Sequence, residues 1–437
     1  MRPKRILVFY TQRNKSNENA HFITFLFIYI NISLYLLSIN LITNKNMKAN
    51  PVFSLNIPTK LFFGCGEIEK LSTEELPGKK ALIVISAGNS MKKYGYLSKV
   101  QALLKLNNVE NVVYDKILQN PIKSHVMEAA AICREEGCDF VVGLGGGSSI
   151  DSAKAIAIMA CNEGDLWDYV EGGSGKGRSY TKVLPIVAIP TTAGTGTEAD
   201  PWSVITNEDL QEKIGTGIPP YTFPTMSIVD PELMLTIPPA LTAYQGFDAF
   251  FHAAEGFIAN IANPISDLYA LEAIRLLYKY LPVAVKDGKN LKARAKVAWA
   301  STLAGMVEAT SSCTSEHSIE HALSAFHPNL QHGAGLIAIS EAYYETFKND
   351  CMKRYMKMAE AMLEKKSNRP SDFIDALIIM QKECGVRDIK LSEYGVKEED
   401  LPKIADHARY TMGGLFTLDP RPMTDDELLT ILEKSYK

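Results

Sequence analysis

An aspartate and a histidine lie four residues apart in the apolar stretch from Pro239 to Ile258. The residue types in this stretch favour a helix, which would place Asp248 and His252 on one face, one turn apart. A carboxylate and an imidazole in apolar surroundings need partners, because burying an unpaired charge is costly. A divalent cation would satisfy both side chains, and a buried Asp–His hydrogen bond is the alternative that this pair alone leaves open.

A glycine-rich turn, Gly143–Lys154, stands where a buried strand gives way to a helix. Glycines let the backbone approach a phosphate, and the free amides of a new helix point at it. The turn departs from the dinucleotide fingerprint because it ends in Ser148 and follows a later strand. With Ser148, Asp151 and Lys154 at the start of the helix, we predict phosphate binding. A purely structural turn is the alternative.

A run of small residues, Thr191–Thr197, forms a second unusual stretch. Threonine, alanine and glycine offer little surface for packing, so the run predicts a flexible loop. Its hydroxyl groups suit a ribose or a phosphate. A plain solvent loop is the competing interpretation.

The order of elements around these motifs indicates the fold. Apolar runs alternate with helical stretches up to about residue 236, which predicts βαβ units and a parallel sheet covered on both faces. From Pro238 onward, almost all the periodicity is helical. The sequence therefore predicts a dinucleotide-binding α/β domain over residues 47–236 and an all-α metal-binding domain over residues 237–437.

Composition excludes several classes of function. Of the residues, 46% are hydrophobic and 22% are charged, which is typical of a globular protein, and the net charge of -4 gives no reason to expect nucleic acid as a partner. The seven cysteines include no CxxC pair, a pattern that favours reduced thiols and a cytoplasmic location.

Residues 1–46 differ from the rest of the chain. Basic residues precede a run from Asn19 to Asn44 that has no Asp, Glu, Lys or Arg and is long enough to span a bilayer. A signal anchor is one interpretation. We favour the other, in which Met47 is the true start and the segment is translated upstream sequence, so that no membrane is involved.

Four blocks together resemble one known family, the iron-dependent (group III) alcohol dehydrogenases. The resemblance covers the chain from about Asn50 to its end, and the blocks occur in the family's order and close to its spacing. They are Gly145–Lys154, Pro190–Glu198, Phe247–Glu255, and His317–His321 with His332–Gly333.

The resemblance implies a ligand set, a cofactor site and a dehydroquinate synthase-like architecture. Asp248, His252, His317 and His332 would hold one divalent metal, and His321 would lie near the nicotinamide and act as the proton relay. One extra residue between His317 and His332, relative to the family's usual spacing, leaves His327 as a rival ligand. This ligand set accepts Fe(II) or Zn(II).

The block after the first long strand resembles the NADPH-using branch of the family, that of the butanol dehydrogenases. Gly88 takes the place of the acidic residue that would repel a 2′-phosphate, and Ser90, Lys92 and Lys93 follow. We therefore expect NADPH in preference to NADH. By the same resemblance, the remaining cofactor contacts would be Asn120 at the adenosine, Gly146, Gly147 and Ser148 at the pyrophosphate, and Thr191, Thr192, Thr195 and Lys213 at the ribose and nicotinamide.

The expected function is hydride transfer between the nicotinamide and a small aldehyde or alcohol, by a homodimer as is common in the family. The apolar residues Phe247, Phe250, Phe251 and Phe257 around the metal helix favour an uncharged substrate. Two alternatives are an enzyme of the same fold that acts on a polar substrate, such as a dehydroquinate synthase or a glycerol dehydrogenase, and a non-catalytic nucleotide-binding protein.

Overall fold

The structure is a computed structural model that describes residues 52–436. The chain divides into a unit that ends at Ser54 and a unit from Leu55 to Lys437, and the fold below is that of the second unit. The predicted extension, residues 1–46, lies outside the described residues.

A six-stranded parallel sheet forms the first half of this unit, with the strand order β1-β8-β5-β4-β2-β3. An antiparallel pair, β6 and β7, stands apart from it. The strands are β1 (Lys60–Phe63), β2 (Lys80–Ser86), β3 (Glu110–Ile117), β4 (Phe140–Gly145), β5 (Ile186–Pro190), β6 (Ser203–Asn207), β7 (Glu212–Thr216) and β8 (Met226–Val229).

Helices cover the sheet, because its central strands are apolar on both faces and every residue of β4 and β5 is buried. The chain runs from β2 outward to β3 and then returns to the other side of β2 to form β4. This reversal opens a crevice at the carboxyl ends of β2 and β4, which is where open α/β sheets bind ligands. The helices of this half are α1 (Lys70–Thr73), α2 (Ser90–Lys93), α3 (Tyr96–Leu106), α4 (Lys123–Glu135) and α5 (Gly147–Cys161).

The second half is helical, and no strand follows Val229 among the described residues. Its α-helices are α6 (Pro239–Ile258), α7 (Pro264–Lys286), α8 (Leu291–Ser311), α9 (Ser315–Phe326), α10 (His332–Phe347), α11 (Met352–Leu363), α12 (Ser371–Glu383), α13 (Leu401–Phe416) and α14 (Asp425–Tyr436). Short 3₁₀ turns occur at Glu67–Glu69, Leu166–Asp168, Pro231–Met234, Leu391–Tyr394 and Glu398–Asp400.

The predicted class, a parallel α/β half followed by a helical half, is confirmed. The antiparallel β6–β7 pair was not predicted from the sequence. Within residues 52–436, no helix is both long and apolar enough to cross a bilayer.

The two halves touch closely at a pair of glycines. Gly196 has φ +65° and packs directly against Gly305 of α8. A Cβ added to Gly305 would lie 2.9 Å from the Gly196 Cα atom. Real Cβ atoms do not approach backbone this closely, so both positions require the absence of a side chain.

We expect Gly305→Ala to destabilise the protein by about 1–3 kcal/mol, because the extra methyl group would force these two backbones apart. Thermal and urea unfolding would measure the change. Gly414→Ala is a matched control, since nothing lies within 4 Å of a Cβ there and the residue is in α13. The control should be neutral or slightly stabilising, and equal losses in the two variants would contradict the packing argument.

Candidate metal centre and cofactor crevice

Three imidazoles converge on one buried carboxylate. The Oδ1 atom of Asp248 lies 3.6 Å from His252 Nε2, 3.6 Å from His317 Nε2 and 3.3 Å from His332 Nε2. The four possible ligand atoms all lie within 4.8 Å of one another. The sequence pattern Asp-x-x-x-His thus forms half of a four-residue cluster.

Three helices position this cluster. Helix α6 carries Asp248 and His252 one turn apart, as predicted, and both side chains are buried. His317 lies in the first turn of α9, and His332 is the first residue of α10. The rival, His327, follows the end of α9 and belongs to no such cluster in the described residues.

The cluster has the properties of a cation site. Asp248 Oδ1 and His317 Nε2 are buried and have no hydrogen-bond partner within the described protein. Burial disfavours the charged form of Asp248, yet the neighbouring imidazoles hold the pKa of its carboxyl group well below the usual range. Burial lowers the pKa of His252 to about 3, which leaves its ring neutral and able to donate a lone pair. These residues fit a divalent metal with mixed N and O ligands.

A carboxylate stands behind each of the three histidines. Glu255 contacts His317 Nδ1, Glu320 contacts His332 Nδ1, and Glu308 Oε1 lies 3.3 Å from His252 Nδ1. A carboxylate hydrogen-bonded in this position orients a metal-ligating imidazole and raises its basicity, and this applies to His317 and His332, since Glu308 and His252 make no hydrogen bond. These roles were not predicted from the sequence, although the spacings His252-x-x-Glu255 and His317-x-x-Glu320 place two of the glutamates one helical turn from a histidine of the cluster.

Lys213, which the resemblance assigned to the nicotinamide end, lines the cavity next to the cluster. Its ammonium group lies 2.8 Å from Ser324 Oγ and 3.4 Å from Glu320 Oε2. Strand β7 is therefore linked to the helix that carries His317, and the positive charge of Lys213 compensates the buried charge of Glu320.

The amino end of α5 lies in the crevice beside the small-residue run. Gly146 caps the helix without a side chain, and Gly146 and Ser148 are half-buried. A Cβ added to Gly147 would lie 2.8 Å from Thr195 Oγ1, so the two loops are in contact. The free amides of a long helix in a switch-point crevice suit a pyrophosphate.

For these two loops, one competing interpretation and one expected phosphate contact are wrong. The run Thr191–Thr197 is not a solvent loop, because most of it is buried, and only Thr192 and Thr195 are half-exposed. Lys154 cannot reach a phosphate, because its buried ammonium group lies 2.6–3.0 Å from four protein acceptors: Thr197 Oγ1, Asp200 Oδ1 and the backbone carbonyls of Asp200 and Trp202.

The other predicted cofactor residues border the crevice at different depths. Asp151 lines its floor and accepts hydrogen bonds from Thr197 Oγ1 and Val204 N. Asn120 lies at the cavity wall and donates to the Pro328 carbonyl of the helical half at 3.0 Å.

The residues after β2 lie at the exposed end of the crevice. Gly88 is exposed in the turn after β2, and Ser90 begins α2. Lys92 Nζ lies 2.5 Å from Asp115 Oδ2, so its charge is shared with a carboxylate on β3, while the Lys93 ammonium lies over the Tyr94 ring.

A cavity of about 250 Å³ joins the crevice to the histidine cluster. His321 lines it, and burial, followed by the charge of Lys213, lowers the pKa of this imidazole well below its usual range. Ser312, also in the wall, has φ 64° and ψ 172°, a backbone conformation that normally requires glycine. A strained residue at a cavity wall is typical of functional sites.

The four phenylalanines that suggested an uncharged substrate do not line this cavity. Phe247, Phe250 and Phe251 pack on one another, Phe250 stacks on Phe373, and Phe251 stacks on Tyr344. They form the core behind α6, so the argument from these residues to the substrate was wrong.

Two family models match the chain in succession. The model described as iron-containing alcohol dehydrogenase matches residues 58–231, and the model of the C-terminal part of the Fe-containing alcohol dehydrogenase family matches residues 242–436. The proposed domain boundary at 236/237 falls between these two ranges.

Individual relatives agree with this match over their whole length. Alcohol dehydrogenase 4 of Saccharomyces cerevisiae is 34% identical over 386 residues, which cover 87% of this chain and 98% of that protein. NADH-dependent butanol dehydrogenase A of Clostridium acetobutylicum is 31% identical, over 88% of this chain and 99% of that protein. The crystal structure of an archaeal halo-thermophilic alcohol dehydrogenase from a Red Sea brine pool, bound to NZQ, superposes with a TM-score of 0.84 at 36% identity, over 88% of this chain and 99% of that one.

Fold, motifs and relatives therefore agree on the class of protein. The chain belongs to the iron-containing alcohol dehydrogenase family, and it is an oxidoreductase that transfers a hydride between a nicotinamide cofactor and a small alcohol or aldehyde.

Proposed function

We propose that Asp248, His252, His317 and His332 hold one divalent metal, Fe(II) or Zn(II), next to the nicotinamide. The observation that carries this proposal is the convergence of three Nε2 atoms on Asp248 Oδ1, with buried atoms left without hydrogen-bond partners. When bound, the metal would supply Lewis acidity that polarises the substrate oxygen.

His321 is the proposed proton relay of the reaction. Its ring is neutral near pH 7, since burial and Lys213 lower its pKa, so it can accept the proton that an alcohol gives up on oxidation. Its Nδ1 atom lies 2.9 Å from Met412 Sδ, and its ring centroid lies 5.2 Å from that of His332. The imidazole is therefore held at the cavity wall beside the ligand cluster.

The cofactor would lie along the crevice from Gly88 to the cavity. We propose that the amides of Gly146, Gly147 and Ser148 bind the pyrophosphate at the start of α5. Asn120 and Asp151 would border the adenosine side and the floor of the crevice, and Thr191, Thr192, Thr195 and Lys213 would line the ribose and nicotinamide end.

We further propose that NADPH is preferred to NADH. Gly88 brings no carboxylate to the turn after β2, and Ser90 and the exposed Lys93 can bind a 2′-phosphate. The Clostridium relative is named as NADH-dependent. Membership of the family alone therefore does not decide the cofactor preference of this chain.

A cytoplasmic location, a homodimeric state and the domain boundary at 236/237 stay predictions. Cell fractionation would test the location, and sedimentation of the purified protein would test the homodimeric state. Separate expression of the two halves would test the domain boundary.

We expect His252→Ala and Asp248→Asn to lose the bound metal and to lower kcat/KM for alcohol oxidation by roughly a thousandfold, because the Lewis acid contributes several kcal/mol. Elemental analysis and alcohol-dependent reduction of the nicotinamide would measure the two effects. His327→Ala is the control and should keep both metal and activity. Full activity of metal-free enzyme, or loss of metal in the control, would rule the ligand set out.

We expect Glu255→Gln to weaken metal binding by about 10- to 100-fold, because the variant loses the carboxylate behind His317. Competition with a chelator would measure the metal affinity without reference to turnover. The same substitution at Glu345, an exposed residue of α10 paired with Lys348, should leave the affinity unchanged. Equal affinities in all three proteins would show that the contact does not support the ligand.

We expect Gly88→Asp to lower the ratio of kcat/KM for NADPH to that for NADH at least roughly tenfold, since a carboxylate there would repel the 2′-phosphate. Asn108→Asp adds the same charge at an exposed turn before β3 and should leave the ratio unchanged. A wild-type enzyme with similar KM values for both cofactors would contradict the NADPH preference.

A further inference from the structure

The hairpin of β6 and β7 presents one face to the cavity. Successive side chains of a strand point to opposite faces, and Lys213 and Gly215, two residues apart in β7, both line the cavity. Val204 of β6 stands opposite Gly215 in the antiparallel register and lines the cavity as well. Ile205 and Ile214, on the other face, belong to the core. The hairpin therefore forms a cavity wall that is charged at Lys213 and carries no polar side chain at Gly215.

Gly215 is an unusual residue for the interior of a strand, because glycine offers no side chain to pack and costs backbone entropy. Glycine is required where φ is positive or where another backbone comes close. Neither reason applies here, since the φ of Gly215 lies outside the left-handed region. A Cβ added to Gly215 would have as its nearest neighbours Met412 Cε at 3.6 Å and Val204 Cγ2 at 3.8 Å, which are ordinary contact distances. The remaining reason for a glycine in a strand is the close approach of a ligand.

Apolar groups surround the space above Gly215. Val204 and Met412 lie nearest to it, and both residues line the cavity. These three residues, Val204, Gly215 and Met412, form an apolar corner of the cavity. Met412 stands at a kink of α13, and its Sδ atom lies 2.9 Å from Nδ1 of His321. The apolar corner therefore lies beside the imidazole that is proposed to accept the proton of the alcohol.

The other end of the same wall borders the cofactor crevice. Lys213 pairs with Thr206, and the Thr206 amide donates to the carbonyl of Pro121 at 2.8 Å. Pro121 follows Asn120 in the wall of the crevice. A cofactor that is bound at Lys213 and Asn120 leaves the apolar corner for the substrate.

We propose that Gly215 is a specificity-determining residue, whose missing side chain leaves room for the unbranched carbon chain of a short primary alcohol or aldehyde. This inference rests on the proposed function, because it places the carbinol carbon at the metal cluster and the chain toward Gly215. Val204 and Met412 contact the chain there. Each methylene group that they bury raises kcat/KM about fourfold, since its burial contributes about 0.8 kcal/mol.

The first measurement compares ethanol, butanol and propanediol as substrates of the metal-loaded enzyme. Butanol is two methylene groups longer than ethanol, so we expect its kcat/KM to be roughly tenfold higher. Propanediol has the length of butanol but ends in a hydroxyl group, which loses its hydrogen bonds to water at the apolar corner, so its kcat/KM should be about tenfold lower than that of butanol. Equal values for the three alcohols would overturn the proposal, whereas no turnover of any of them would refute the proposed function.

A methyl group at position 215 fills the space without disturbing the fold. We expect Gly215→Ala to lower the ratio of kcat/KM for butanol to that for ethanol about tenfold, while the thermal unfolding midpoint stays the same or rises, because alanine suits a strand better than glycine. Gly414→Ala adds the same group at an exposed position of α13 and should leave the ratio unchanged. An unchanged ratio in Gly215→Ala, or a lower unfolding midpoint, would overturn the proposal.

Binding of NADPH, followed by the fluorescence of its nicotinamide, separates the substrate from the cofactor. We expect Gly215→Ala to bind NADPH with the Kd of the wild-type enzyme. Weaker binding of NADPH, together with an equal loss of kcat/KM for ethanol and butanol, would assign the space above Gly215 to the nicotinamide and overturn the proposal.

The substitution Val204→Thr tests the apolar character of the corner, because it exchanges a methyl group for a hydroxyl group at nearly constant size. We expect it to raise the ratio of kcat/KM for propanediol to that for butanol about three- to tenfold, since the new hydroxyl group can pair with the far end of the diol. Glu345→Gln, at an exposed position of α10, should leave this ratio unchanged. The same ratio in Val204→Thr and wild-type enzyme would show that the chain does not reach the corner.

Discussion

The buried carboxylate of Asp248 is the constraint on which the helical half depends. A negative charge inside a helical core is unfavourable unless cationic or hydrogen-bonding groups surround it. Three imidazoles from α6, α9 and α10 face it, and Glu255, Glu308 and Glu320 stand behind them. So many acidic groups in one volume need positive charge at the centre, and a divalent cation satisfies that need. The buried charge of Asp248 therefore accounts both for how α6, α9 and α10 are packed and for the chemistry of the site.

The sheet half and the helical half meet so closely that the cofactor crevice and the metal cluster share a wall. Gly196 lies against Gly305 of α8, Lys213 compensates Glu320, and Asn120 reaches the carbonyl of Pro328. The close packing of the two glycines and the buried ion pair tolerate little displacement of one half relative to the other. A hydride can pass only over a short distance, so contacts that hold the cofactor crevice beside the metal cluster suit the reaction.

Much of the site could be predicted from residue types and spacing. The i, i+4 relation placed Asp248 and His252 together because helical geometry depends only on local periodicity. The phosphate-binding turn was predictable for a similar reason, since a strand, a glycine turn and a helix follow one another in sequence. Local spacing did not predict the direction of the Lys154 side chain. This residue lies in the predicted helix, but its ammonium group points toward Asp200 and Trp202 and away from the crevice. The direction of a side chain depends on its distant neighbours.

By itself, the sequence determined the order of elements, the parallel sheet, the family and the residue types that could bind a metal, because these follow from local patterns and motifs. Only the tertiary structure decided which groups line the cavity. Phe250 and Phe251 lie in the core, whereas Glu308, which no local pattern distinguishes, lines the cavity with an oxygen that lacks a hydrogen-bond partner. It also placed His332, rather than His327, in the cluster with Asp248, because the length of the loop before α10 leaves the position of this histidine open until α10 is packed against α6. The physical reason is the same in both cases: burial and convergence are properties of segments far apart in sequence, and they exist only once those segments are packed together.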